Sequence, residues 1–219
     1  MKLKLMFLFS ILLIIPSAIL GALLKSEFTD IGTGEDPLQH FNVGMINDDL
    51  LDNAVQNMHE TLDECPIILR VMAESEEEFV FLRTKQRVKV LEVYKGDNLR
   101  VGDSIYITKY QSSVFFEQKA VNMGFVNTMI PNDEYLIFLE SKIISVDNRE
   151  AIYETPGYII APIFAYKDRE NELVDPIRQD YISASYSMLM NNEFFAVSQE
   201  GIDKLNNLKD ILQARYPAD

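Results

Sequence analysis

The chain has 219 residues, a quarter of them charged, and a formal charge of −14. So acidic a molecule is excluded from nucleic-acid binding, which needs a basic face for the phosphates, and from polybasic contact with anionic lipid. Cys65 is the single cysteine, so no internal disulfide forms.

The N-terminus carries the plainest signal. Leu5–Leu24 holds no charged side chain and follows Lys2 and Lys4. About 20 apolar residues suffice to cross a hydrocarbon core of about 30 Å. Flanking lysines stay cytoplasmic, which puts everything after Lys25 outside. The competing reading is a cleaved signal peptide, with Met6–Ile15 as its apolar region and Pro16-Ser17 as a helix break. Its cleavage positions are poor: cutting after Ala22 or Gly21 places Leu20 or Ile19 where a small residue belongs. A single-pass cell-membrane anchor is therefore preferred over secretion, and both readings export the same domain. The absence of a cysteine near residue 20 excludes a bacterial lipid-anchored cysteine. An exported domain without disulfides fits a bacterial surface better than an animal one.

Residues 25–46 read as a polar tether, most plainly over Lys25–Asp36 with Gly32 and Gly34. The remainder, 47–219, has the length of one domain. Asn47–Leu62 is expected as an amphipathic helix. Asn47 is its N-cap, Asp48 and Asp49 complement the helix dipole, and Leu50, Leu51, Ala54, Val55, Met58 and Leu62 supply one apolar face.

From Ile67 the pattern turns to strands. Ile67, Leu69 and Val71 alternate; an acidic loop, Glu74–Glu78, follows; then come Phe79–Leu82 and Arg87–Tyr94. In the last of these the alternation slips by one between Val90 and Leu91, which predicts a β-bulge and a bent strand. Lys95–Asn98 and Gly102-Asp103 are turns. Ser104–Tyr110 is a strand, and Tyr135–Leu139, apolar on both faces, is a central one. Asp147-Asn148 and Asn191-Asn192 mark hairpins, the second joining Ser185–Met190 to Glu193–Val197. Pro162 places Tyr158–Tyr166 at an edge. The chain closes on a helix, Gln199–Arg215, capped by Ser198. The expected class is α+β: a small, β-rich, partly open barrel of OB type with an N-terminal transmembrane helix, a helix before the barrel and an amphipathic helix after it.

A trio of segments carries a family likeness: Val88–Asp97, Val101–Ile105 and Asn132–Leu139. Together they resemble the pattern of netrin-like domains, the OB-type barrels of tissue inhibitors of metalloproteinases, and similar uncharacterised exported domains of Gram-positive bacteria. The likeness covers about Cys65–Ser145 and implies the fold. Those inhibitors chelate a target's zinc through an N-terminal cysteine. Cys65 stands at the corresponding place before the first strand, but its nitrogen is an internal amide here, so the mechanism does not carry over. Asn132-Asp133 replaces the family's glycine turn.

Catalytic patterns are missing. His59-Glu60 opens like a zincin helix, but Asp63 stands where the second histidine belongs. Cys65 is expected as a small buried thiol, His59 as a helix-surface residue, and Glu76–Glu78 as solvated charge. No metal site, cofactor or enzymatic activity is expected. Gln111–Ile130 stands apart as a long and apolar segment between two strands. Phe115, Phe116, Met123 and Phe125 in it are the candidate contact residues for a protein or cell-wall partner. The expected function is thus a membrane-anchored extracytoplasmic binding module. Two alternatives remain open: a structural component of a surface assembly docking through Asn47–Leu62 or Gln199–Arg215, and an exported hydrolase using Asp133 and Glu134.

Overall fold

The computed structural model describes residues 13–23, 37–80, 83–115, 119–144, 150–178 and 181–218. The chain divides into two units, Met1–Pro37 and Leu38–Asp219. In the first, helix α1 covers residues 13–23, with Leu13, Ile14, Ile19 and Leu20 exposed. The rest of the Leu5–Leu24 run lies outside the described residues. Among those residues, no helix is long and apolar enough to cross a membrane.

The second unit begins earlier than the sequence suggests. Leu38, Phe41, Val43, Met45 and Ile46 are buried, and strand β1 (Asn42–Gly44) lies within the stretch expected as tether. The tether therefore stops short of Leu38, because these apolar side chains are drawn into the fold. Helix α2 (Asp48–Thr61) then starts as expected: the Asn47 Oδ1 accepts the Leu50 N–H at 2.9 Å, and Asp48 and Asp49 occupy the first turn.

The strands that follow are β2 (Ile67–Ala73), β3 (Glu78–Val80), β4 (Arg83–Lys95), β5 (Ser104–Thr108), β6 (Ser112–Phe115), β7 (Ala120–Met123), β8 (Glu134–Leu139), β9 (Ser141–Lys142), β10 (Ile152–Glu154), β11 (Ile163–Ala165), β12 (Ile177–Arg178) and β13 (Ile182–Ser185). The larger sheet has the order β11-β8-β2-β4-β5-β10-β9, with β3 hairpinned onto β4. All its pairings are antiparallel except β5 with β10. Its end strands, β11 and β9, are not paired with each other among the described residues, so the strand path is open. Strand β8 pairs with β2 and continues through Glu140 into β9, which pairs with β10; the Glu140 N–H donates to the Glu154 carbonyl at 2.9 Å.

The slipped alternation in β4 is a bulge. Val71 faces Val90 and Arg70 faces Glu92, so Leu91 is the extra residue. A second slip, with Leu69 opposite Val93 and Ile68 opposite Lys95, makes Tyr94 another. Strand β8 lies between β11 and β2 with Tyr135–Leu139 buried, as a central strand should be. Pro162 directly precedes β11, at the end of the path.

A second sheet, β12-β13-β1-β7-β6, was not foreseen. Its β6–β7 hairpin occupies the Gln111–Ile130 segment. The expected hairpin of Ser185–Met190 with Glu193–Val197 is also corrected: β13 ends at Ser185, Tyr186–Leu189 turns helical (α3), and Phe194 and Ala196 form single bridges to Val126 and Ile46. The other expected hairpin, of Ile143–Val146 with Ala151–Tyr153, is shifted: the strand that pairs with β10 is β9, Ser141–Lys142, and residues 145–149 lie outside the described residues.

Helix α4 (Gln199–Arg215) begins at Ser198, whose Oγ accepts the Gly201 N–H at 2.9 Å. Leu51, Ala54 and Met58 of α2 join Ile202, Leu205, Leu208 and Leu212 of α4 in one core with Leu69, Val90 and Phe138 of the large sheet. Both helices thus turn most of their apolar residues inward, with Leu50 of α2 left half exposed.

Candidate functional site

Two consecutive left-handed residues set up the site. Gly124 has φ +64°, and a Cβ there would lie 3.0 Å from the Ala161 Cβ and 3.1 Å from the Ala161 nitrogen. That nitrogen donates to the Gly124 carbonyl at 2.8 Å, so the approach of the two backbones requires glycine. Phe125 follows at φ +57°. For a residue with a side chain this conformation costs about 1–2 kcal/mol, and a bulky residue held there is an outlier of the kind that gathers at ligand sites. The segment after α3 holds it: the Phe125 carbonyl accepts the Phe195 N–H at 3.0 Å.

The turn carries the Phe125 ring over Gly44 of β1. A Cβ on Gly44 would lie 3.8 Å from the Phe125 Cε1, so the ring rests against backbone that has no side chain of its own. Phe125 and Gly44 wall a cleft of about 460 Å³ together with Met45, Leu50, Ala120 and Val121. Tyr181 and Ile182, at the start of β13, complete the apolar lining, and Asn47 and Asn122 are its carboxamides. This volume lies within the range of small-molecule sites, which are mostly apolar with a few placed polar groups. None of the ten described residues that line it is charged, in a chain where one residue in four is. Leu50 and Tyr181 leave apolar surface open to solvent at 50% and 37% exposure.

Of the four residues singled out from the sequence, Phe125 lines this cleft. Met123 is fully buried, so it is a core residue and not a contact residue. This is a correction: Ala120, Val121 and Asn122 of β7 line the cleft, while Met123, the last residue of the strand, is shut away from solvent by the packing around it. Phe115 falls in β6, at the edge of the second sheet, and Phe116 lies outside the described residues. Gly44, Asn47 and Asn122 were missed. Asn47 was visible only as a helix cap, and nothing local marks the other two.

Elsewhere the chemistry is structural. Cys65 is buried, and burial pushes its thiol up to about 11, away from nucleophilic use. His59 is exposed on α2. Glu134 sits 3.6 Å from Arg70 and Asp133 3.7 Å from Lys167, in separate ion pairs, and neither carboxylate lines the cleft. Among the described residues, no group of three or more His, Cys, Asp or Glu side chains is placed to hold a metal. The acidic loop is less solvated than its composition implies. Glu77 is buried against Lys109 at 3.4 Å, and the Lys109 ammonium also donates to the carbonyls of Val126 and Asn127. Burial holds that ammonium below the usual lysine value, with Glu77 opposing. A second buried pair, Lys209–Glu193 at 2.8 Å, fastens α4 to the segment after α3. No protein-family model matches the chain, and no curated protein matches it.

Proposed function

We propose that the chain is a membrane-tethered extracytoplasmic binding module that holds an uncharged ligand in the cleft beneath Phe125. The observation that carries this reading is an apolar cleft whose described lining residues bear no charge, on a molecule of net charge −14, framed by an aromatic residue in a costly backbone conformation. Water is easily displaced from such walls, and burying apolar ligand surface there gains about 25 cal/mol per Å². The tether half of the proposal rests on the Leu5–Leu24 run behind Lys2 and Lys4.

An OB-type barrel is part of the proposal. The antiparallel run β2-β4-β5, the parallel β5–β10 pair, and a β8–β9 segment that reaches β2 at one end and β10 at the other support it. That circuit has the connectivity of a five-stranded Greek-key barrel, in keeping with the netrin-like pattern of Val88–Asp97.

The test of the cleft uses the full chain in amphipol with N-phenyl-1-naphthylamine, an uncharged apolar dye that brightens when water leaves it. The expected result is saturable binding that Phe125→Ala weakens about tenfold, a loss of about 1.4 kcal/mol. A folded Phe125→Ala protein with unchanged dye affinity would refute the cleft as the site. For the tether, external protease on whole cells should digest the domain; protection until lysis would refute export.

A further inference from the structure

Resting on the reading of the cleft as a ligand site, we infer that its ligand is a neutral acyl compound: a hydrocarbon body bearing an ester or amide carbonyl. The polar lining decides this. The Asn47 Oδ1 is taken by the Leu50 N–H at 2.9 Å, and the Asn122 Oδ1 by the Gly124 N–H at 3.0 Å. Both carboxamides are thereby fixed in orientation, oxygen toward backbone, and what each has left to offer is its NH₂ group. The lining therefore combines apolar wall with two carboxamide donors and the Tyr181 phenol, all neutral, and none of its described residues is a cation. A carboxylate or phosphate would enter without a counter-charge, against the field of a strongly acidic protein. A plain alkane would leave both donors unused, whereas a neutral carbonyl oxygen accepts from them.

The topology separates a small molecule from a peptide added as a strand. Strand addition needs an unpaired edge. The cleft is lined from β1, β7 and the start of β13, and each already has a neighbour on both sides: β1 lies between β13 and β7, β7 between β1 and β6, β13 between β12 and β1. The occupant must therefore lie on the sheet's face, where about 460 Å³ suits one short acyl group.

The experiment places a reporter in the site. The chain has no tryptophan, so Phe125→Trp gives a single emitter on the cleft wall. The full chain in amphipol is titrated with methyl octanoate and with octanoate at mildly alkaline pH. Displacement of N-phenyl-1-naphthylamine from the unsubstituted chain serves as a second readout. The ester should shift the emission and displace the dye, with the carboxylate at least about tenfold weaker. Asn47→Asp and Asn122→Asp keep the oxygen that the backbone uses and remove the NH₂. Each should weaken the ester about fivefold more than it weakens the carbonyl-free dye. Octanoate binding as tightly as the ester would overturn the inference, as would Asp variants that lose nothing or that lose ester and dye alike; in all three cases dye binding still upholds the cleft. If neither dye nor ester binds, the cleft fails as a site and this inference goes with it.

Discussion

Replacing Gly124 by alanine tests the turn on which the cleft depends. The left-handed backbone alone costs a residue with a Cβ about 1–2 kcal/mol. The new methyl would also lie 3.0 Å from the Ala161 Cβ and 3.1 Å from its nitrogen. Those atoms belong to a short backbone bridge, so they cannot rotate away, and overpacking of this kind costs about 1–3 kcal/mol. The sum is about 2–5 kcal/mol, lowered by about 0.5 kcal/mol because alanine restricts the unfolded chain. Gly102→Ala is the control. Its φ is +94°, but a Cβ there meets nothing within 4 Å, so only the backbone strain remains. Urea unfolding of the full chain followed by far-ultraviolet dichroism should place Gly124→Ala about 1–3 kcal/mol below Gly102→Ala, and its residual folded form should bind N-phenyl-1-naphthylamine poorly. Equal midpoints for the two variants would refute the close-approach account of Gly124.

Three further outcomes follow from the buried polar groups. Glu193→Gln leaves the Lys209 ammonium, 3% exposed, with only the solvent-facing Asp168 at 3.7 Å; the loss should be about 3 kcal/mol, and Glu193→Gln with Lys209→Met should recover more than half in urea melts, an equal loss in the double variant counting against the pair. The Cys65 thiol, pushed up to about 11, should resist dithiobisnitrobenzoate in the native protein near pH 8 and react only in step with unfolding, so rapid native labelling would contradict its burial. Lys109 has its ammonium pKa depressed in the fold, so the native state gives up this proton more readily than the unfolded chain. Its contribution to stability is full above the ordinary lysine value and is lost as pH falls through the folded value. The stability of the parent relative to Lys109→Met with Glu77→Gln should therefore rise as pH climbs toward the lysine range; a flat difference would refute the assignment.

What the sequence made legible was local. Asn47 and Ser198 announce their helices because a cap acts on an N–H three residues away, and the Leu91 bulge shows because it displaces an alternation within a single strand. Tyr135–Leu139 reads as central because both of its faces are apolar. The second sheet was illegible for the opposite reason. Its β1 is three residues, Asn42–Gly44, too short for any periodicity, and its partners lie at Ala120–Val121 and Ser183–Ser185. Tyr186–Leu189 was misread because four mixed residues after a strand fit alternation as well as a helical turn. The cleft inherits this: Phe125 was identified from its hydrophobicity, whereas Gly44 and Asn122 acquire meaning only when β1 and β7 are brought side by side.

That arrangement bears on how the protein is made. The cleft's lining is drawn from residues 44–50, 120–125 and 181–182, so a nascent chain emerging from the ribosome cannot complete it until about four-fifths of the polypeptide exists. Contacts so distant in sequence form slowly. The hydrophobic walls must wait, unpaired, through synthesis, and a holding chaperone is the natural safeguard for that interval.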